Sequence, residues 1–448
     1  MVPELEGLMW DICAVKAARP VGRVVGVRAG LLSVAALGDA VQVGMLVEIR
    51  ARSGVRLTGE VLALGSDGAR ILPAGPLDGV GIGDEVLAQG PLRIAPCAKW
   101  IGRILDARGQ PMDGRPLPRG PVARSVLASP PNPVTRKPLG QRLETGMQVF
   151  NTLLPVVKAQ RIGLFSGSGV GKSSLLAHFA TQMQADVVVI ALIGERGREL
   201  GDFAHKALGV KGMARSVIVA ATSDQSPLER RRCALTAMTV AEHFRDQGKQ
   251  VLLLADSVTR FAEAHREIAV MSGEAASLRG FPASTAHRIM SLCERAGPGA
   301  AGQGDITAVF SVLVAGSDME EPVADMMRGV LDGHVVLERE IAERGRFPAI
   351  NPVKSVSRSL PDAASAEENH LISIARQLLG AYEDSALMIR AGLYSEGGDP
   401  VLDTAVRAFG DLDAFVGAPE RIDAANSFKR LELILRKAGA LSPRGQGA

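Results

Sequence analysis

Aromatic residues are scarce in this chain. Its 448 residues hold 12 Phe, 2 Trp and 2 Tyr, about 4%, so few side chains are available to stack on bases or sugars. Long apolar runs are absent as well. No stretch reaches the roughly 18 residues that suggest a transmembrane helix. Residues 1–6 are acidic with no long apolar core behind them, so no signal peptide is expected. The four cysteines, Cys13, Cys97, Cys233 and Cys293, lie far apart and form no C-x-x-C pair. That excludes the usual zinc and redox spacings and favours buried free thiols in a cytosolic protein. The seven histidines are scattered without an H-E-x-x-H pattern, so no protein-bound transition metal is expected.

What is present is the balance of an ordinary globular protein, 46% apolar and 22% charged. The length suggests about three domains. Net charge is +3, unevenly spread: −2 over 1–90, +7 over 91–150, +2 over 151–360 and −4 over 361–448. The basic stretch either meets an anionic partner or surface, or is a Pro-rich linker with solvated arginines.

Residues 1–90 read as an N-terminal β-barrel. Aliphatic and β-branched runs at 21–27, 31–37, 41–49, 55–64 and 80–88 are separated by Gly/Asp clusters such as Ser66-Asp67-Gly68. Residues 91–150, with eight prolines between Pro111 and Pro138, read as an extended linker into the next domain. From 151 to 360, apolar strands at 160–165, 186–192, 216–221, 250–255 and 305–314 alternate with helices at 173–184, 228–247 and 258–271. That alternation predicts an α/β domain with a mostly parallel sheet, whose ligands bind at the carboxyl ends of the strands. Residues 361–448 have helical periodicity, with helices expected at 366–380, 384–391, 400–409 and 418–437.

Three segments carry chemistry. Ser166-Gly167-Ser168-Gly169-Val170-Gly171-Lys172-Ser173 follows a predicted strand and opens a predicted helix, the context of a phosphate-binding loop. Its glycines let backbone N–H groups turn inward on phosphate oxygens, and the helix N-terminus adds its positive dipole end. Lys172 reaches the β- and γ-phosphates, and Ser173 offers its hydroxyl to Mg²⁺; Ser174 extends this contact set. The strict pattern has Gly where Ser166 stands. A Gly-rich turn before a helix is the alternative. Second, the strand from Gln250 ends in Asp256, placed to hold the Mg²⁺ shell beside Ser173. A helix-capping Asp is its bland counterpart. Third, Gly194-Glu195-Arg196-Gly197-Arg198-Glu199 sits just past a strand, where Glu195 can polarise a water at the γ-phosphate. A solvated charged loop is the alternative there.

Together these segments resemble the catalytic subunits of hexameric rotary-type ATPases, and within them the ATPases of type III protein export, flagellar export above all. The similarity runs from about residue 20 to about residue 435. It includes Ile101 to Gly114, Glu320 to Asp325, Arg328 to His334, Leu337 to Arg358 and Arg390 to Pro400. The resemblance implies a RecA-like P-loop core between the barrel and the C-terminal helical domain, hydrolysing ATP with Mg²⁺. It makes Glu195 the catalytic carboxylate, with Arg196 and Arg260 near the phosphates. Arg358 becomes an arginine finger reaching a neighbouring subunit's γ-phosphate, and Phe347 stacks on adenine instead of packing in a core. The segment Gly273 to Ser284 would line a ring channel, although Ala275 and Ala276 stand where relatives often carry prolines.

The implied partners are five copies of the same chain in a homohexamer, a regulator, a central coiled-coil rod, a membrane export gate, and secreted proteins with their chaperones. The implied location is cytoplasmic and peripheral to the inner-membrane export apparatus. Leu5, Leu8, Met9 and Ile12 have helical spacing and could dock the regulator. No nucleic acid partner is expected. Three rivals share the chemistry: an injectisome secretion ATPase, a rotary ATP synthase subunit and an RNA-translocating helicase. The catalytic carboxylate Glu195 opposes a non-catalytic synthase subunit, and the Arg390–Pro400 segment opposes a catalytic one. The single aromatic of residues 1–90, Trp10, opposes a base-stacking platform.

Overall fold

The computed structural model describes residues 18–37, 40–276, 280–314 and 319–441. Trp10, Cys13, the Leu5–Ile12 stripe and the middle of the expected channel segment, 277–279, lie outside them. No helix among the described residues is long and apolar enough to cross a membrane.

The first unit is a closed six-stranded barrel. Its strands are β1 (Val21–Arg28), β2 (Leu31–Ala35), β3 (Leu46–Arg50), β4 (Arg56–Gly65), β5 (Gly68–Pro73) and β6 (Glu85–Gly90), in the order β1-β2-β5-β4-β3-β6 with β6 closing on β1. Alternate residues such as Val24, Leu32, Val34, Val47, Ile49 and Ile71 fill the interior. β5 was not anticipated. The Ser66-Asp67 cluster is the two-residue turn of a β4–β5 hairpin, with Gly65 paired to Gly68, so one apparent strand boundary joins two strands.

The linker is less detached than its prolines suggest. Ile104–Leu105 adds a short strand to the edge of the next sheet, parallel to Ser216–Thr222. The main path of that sheet runs Ile350–Ser357, Gly333–Leu337, Arg161–Ser166, Asp305–Leu313, Gln250–Asp256, Val187–Glu195, Ser216–Thr222, Ile104–Leu105. All neighbours along it are parallel except Ile350–Ser357, which runs antiparallel at one edge.

Both faces are buried, which is why the strands read as continuous apolar runs. Along Val187–Glu195, Val188, Ile190 and Leu192 join one core, while Val187, Val189, Ala191 and Ile193 join the other. The first core holds the Lys172–Gln182 helix and the C-terminal helices. The second holds the helices Pro227–Asp246, Val258–Met271 and Ser284–Arg295. Gly333–Leu337 and the edge strand Ile350–Ser357 are not picked out by the pattern reading; the latter carries Pro352 and Lys354, residues tolerated at a sheet edge.

The barrel is clasped to this core by charge. Glu60 of β4, 6% exposed, accepts from Arg231 at 2.7 Å and from Arg232 at 2.6 Å. Removing one partner of such a buried set would leave an uncompensated charge.

The C-terminal domain has three long helices. Ala366–Arg390 is one continuous helix, not two; it opens on a Ser365/Glu368 capping box and runs through Gly380. A single Gly inside a helix costs about 1 kcal/mol, which packing of Ile372, Ala375, Leu378 and Leu379 offsets. Pro400–Gly417 follows Asp399 as N-cap. The last helix begins at Ala424, after the cap Asp423; upstream of it Pro419 forms an isolated antiparallel bridge with Met147.

Candidate functional site

Three strands of the sheet end at the same side of the domain. Arg161–Ser166 passes into the glycine loop, Gln250–Asp256 ends on its carboxylate, and Val187–Glu195 ends on its own. Between the first two lies Asp305–Leu313.

The loop turns through left-handed backbone at Gly169 (φ 78°) and Gly171 (φ 88°), and the helix Lys172–Gln182 starts immediately after. A side chain at 171 would be strained by φ, and its Cβ would stand 3.2 Å from the Phe347 ring. Phe347, 53% exposed, therefore lies against the loop with much of its ring open. Gly167 has open space around its missing Cβ, 3.7 Å from the Val314 carbonyl. Ser166, the departure from the strict pattern, is fully buried with a hydroxyl that has no partner; nothing in the structure explains its choice over Gly or Ala.

Lys172 is the hub. Its ammonium pairs with Asp256 Oδ1 and lies 3.7 Å from Glu195 Oε1. Lys172, Glu195 and Asp256 side chains are only 12%, 21% and 5% exposed. Asp256 Oδ1 also accepts from Ser311 Oγ at 2.5 Å. Glu195 is aimed by a break in strand register between Ile193 and Glu195, where Gly194 adopts φ 70° and a Cβ would sit 3.2 Å from Arg260 Cβ.

Burial pushes the Glu195 carboxyl up to about 7, and the negative charge of Asp256 adds to this, against the pull of Lys172. A carboxylate poised near neutral pH beside a phosphate loop suits a proton acceptor.

A cavity of about 400 Å³ opens beside these groups, lined by Ser173, Ser174, Glu195, Asp256, Leu200 and Phe203 among others. Ser173 and Asp256 thus offer a hydroxyl and a carboxylate to one space. Hard oxygen donors, one or two from protein with the rest from phosphate and water, suit Mg²⁺. No cluster of three His, Cys, Asp or Glu suited to a metal occurs among the described residues. A larger cavity of about 850 Å³ lies between barrel and core, lined by Glu60, Arg231, His265 and Arg288 among others. It shares no residue with the phosphate-loop cavity, and we place the chemistry at the loop.

The arginines are distributed differently from the carboxylates. Arg260 packs over Gly194 and pairs with Glu263 at 2.9 Å. Arg196 turns outward, its side chain 81% exposed and 3.7 Å from Glu199. Arg358 is far from the loop of its own chain. Ser166 pairs with Leu337, Leu337 with Ile350, and Gly333 with Ser357. Arg358 therefore follows the amino end of the parallel sheet, about 13 Å of strand away, donating to the Arg328 carbonyl at 3.2 Å. Pattern reading overlooked Ser311; its signal is a lone hydroxyl inside the otherwise apolar run from Ala308 to Leu313.

Comparison with known proteins gives the family. The family model for the ATP synthase alpha/beta family, nucleotide-binding domain, matches residues 146–357. That for the T3SS EscN ATPase C-terminal domain matches 364–433. The chain is 45% identical to the flagellum-specific ATP synthase of Agrobacterium fabrum, over 86% of this chain and 81% of that one. It is 42% identical to that of Caulobacter vibrioides, over 93% and 96%. Among solved structures it resembles the assembled ATPase EscN of the enteropathogenic E. coli type III secretion system. The TM-score is 0.86 and identity 35%, covering 92% of this chain and all of that one. A second structure holds EscN with its central stalk EscO and matches with TM-score 0.83. This chain belongs to the ATP synthase alpha/beta family, among the flagellum-specific ATP synthases.

Proposed function

We propose that this chain is the Mg·ATP-hydrolysing motor of a flagellar type III protein export apparatus, working as a homohexamer. The observation that carries the chemistry is the convergence of Glu195 and Asp256, from the ends of separate strands, on Lys172 of the phosphate loop.

Backbone N–H groups of Gly167, Ser168, Gly169, Val170 and Gly171 cradle the phosphates, and Lys172 engages the β- and γ-oxygens. Ser173 and Asp256 hold Mg²⁺, with Ser174 beside them; the ion, when bound, neutralises charge on those oxygens. Glu195, ionised, takes a proton from water. The water oxygen bonds to the γ-phosphorus as the bond to the bridging oxygen breaks, leaving ADP and phosphate. The open face of Phe347 receives adenine. Arg260, pinned against Gly194, flanks Glu195. Arg196, exposed beside Glu199, is free to swing toward the phosphates. Arg358 acts on a neighbouring subunit's ATP, the role its distance from its own loop favours.

A hexameric ring, a central rod, a regulator, a membrane gate, and exported proteins with their chaperones complete this reading, with the chain attached peripherally to the inner membrane. The assembled EscN structures, one with its stalk, support the ring and the rod. Identity favours flagellar over injectisome service: 42–45% to the flagellum-specific relatives against 35% to EscN. The test is to replace the chromosomal copy by a Glu195→Gln variant and to assay swimming and secretion of flagellar proteins. Loss of both is expected. Normal swimming with loss of another secreted set would establish the injectisome reading in its place.

A further inference from the structure

Asp256 does not hold its position alone. We propose that Ser311 is a positioning residue that fixes the Asp256 carboxylate for the Mg²⁺ of Mg·ATP. This rests on the site reading above.

Ser311 is fully buried on Asp305–Leu313, the strand between the phosphate-loop strand and the strand that ends at Asp256. Ala255 pairs with Phe310 in the parallel ladder, so Ser311 comes level with Asp256. Its hydroxyl donates to Asp256 Oδ1 at 2.5 Å, the same oxygen that meets Lys172.

The strand grips the turn after Asp256 a second time. Leu313 N–H donates to Thr259 Oγ1 at 2.9 Å, and that hydroxyl lies 3.3 Å from the Leu313 carbonyl. The Asp256-to-Thr259 turn is thus tied at both ends to one neighbouring strand. Apolar packing cannot do this for a carboxylate, because a short polar side chain on a rigid strand fixes the direction of a charge that Leu or Val would leave free to rotate.

When Lys172 leaves Asp256 for phosphate oxygens, Ser311 remains as the buried donor holding Oδ1. The carboxylate then keeps its orientation beside the cavity that Asp256 lines together with Ser173. Hydrogen bonds to charged groups are the strong class, and loss of one such bond corresponds to a change of about tenfold or more.

The readout is binding, not turnover. Affinity for a fluorescent ADP analogue is measured with and without Mg²⁺ in the full-length protein and in Ser311→Ala, Ser311→Thr and Asp256→Asn. Ser311→Ala is expected to reduce the Mg²⁺-dependent gain in affinity about tenfold while leaving affinity without Mg²⁺ unchanged. Ser311→Thr, which keeps the hydroxyl, is expected to restore the gain, a recovery that a merely structural role would not produce. If Asp256→Asn reduces the gain but Ser311→Ala does not, the positioning role is overturned while the site stands. If Asp256→Asn leaves the gain intact, the metal site itself is misassigned.

Discussion

Replacing Glu195 by Gln removes a negative charge from a pocket that resists it, and the effect on stability has a definite pH dependence. The carboxyl is raised in the folded protein from 4.5 to about 7, first by burial and then by the Asp256 charge. At 1.36 kcal/mol per pKa unit this amounts to about 3 kcal/mol, and about 2–3 once its partial exposure is allowed for.

The sign follows from proton counting. Below pH 4.5 both folded and unfolded chains carry the proton, and Glu195 contributes no difference. Between 4.5 and about 7 the unfolded chain has lost its proton while the folded chain keeps it. Each step up in pH then weakens folding, until the loss is complete just above the folded value. Gln carries no such proton and is nearly isosteric. The variant's stability advantage over the parent protein should be near zero at pH 4.5, grow through pH 5 and 6, and level off by pH 8. Denaturant unfolding of nucleotide-free protein at these pH values checks it, followed by tryptophan fluorescence, to which the buried Trp100 contributes. A difference between the two proteins that stays flat with pH would refute the argument. So would a Gln variant less stable than its parent at pH 8.

Two further outcomes follow from the same geometry. Arg358→Ala and Glu195→Gln proteins should each lose ATPase activity by about 10³-fold or more, yet regain it when assembled together. In a random equal mixture about one quarter of sites combine an intact Glu195 with a neighbour's intact Arg358; a mixture as inactive as its components would place Arg358 outside catalysis. Phe347→Ala should raise the KM for ATP about tenfold with a smaller effect on kcat, the loss of one base–aromatic stack, whereas Phe347→Tyr should stay near the parent value; an unchanged KM in Phe347→Ala would return the ring to a packing role.

How much of this was legible in the sequence depends on distance along the chain. The phosphate loop announces itself because its glycines, Lys172 and the helix start are contiguous, and local backbone needs dictate local residue types. Asp256 and Glu195 were legible because each ends an apolar run, and parallel strands with both faces buried have a long, unmistakable pattern. The helix from Ala366 to Arg390 was split in reading because Gly380 is a weak former, and its tertiary packing is invisible locally. β5 was lost because Ser66-Asp67 marks a turn without saying whether a strand follows. The direction of a side chain was least legible of all. Arg196 stands next to Glu195 in sequence and yet faces solvent, while Ser311, 55 residues from Asp256, bonds to it directly.

The polarity of the sheet explains why the proposed site needs a ring. Parallel strands gather Lys172, Glu195 and Asp256 at their carboxyl ends. The antiparallel edge strand Ile350–Ser357 then carries the chain back to the amino ends. Phe347 precedes that strand and lies against the loop at Gly171, and Arg358 follows it at the opposite, amino end of the sheet. The strand covers about 13 Å along Gly333–Leu337, with its register jumping between Asn351 and Val356, and that span separates a contact to one nucleotide from the arginine proposed for the next. No side-chain rotation spans that length, so within one chain the two ends cannot serve the same phosphate. Between chains the same strand becomes an asset. It pairs with Gly333–Leu337 on either side of a register shift and is anchored at Asn351 by Glu338 and Glu383, at 2.9 and 2.8 Å. An adenine contact at one end and the proposed arginine at the other would then bear on two different sites.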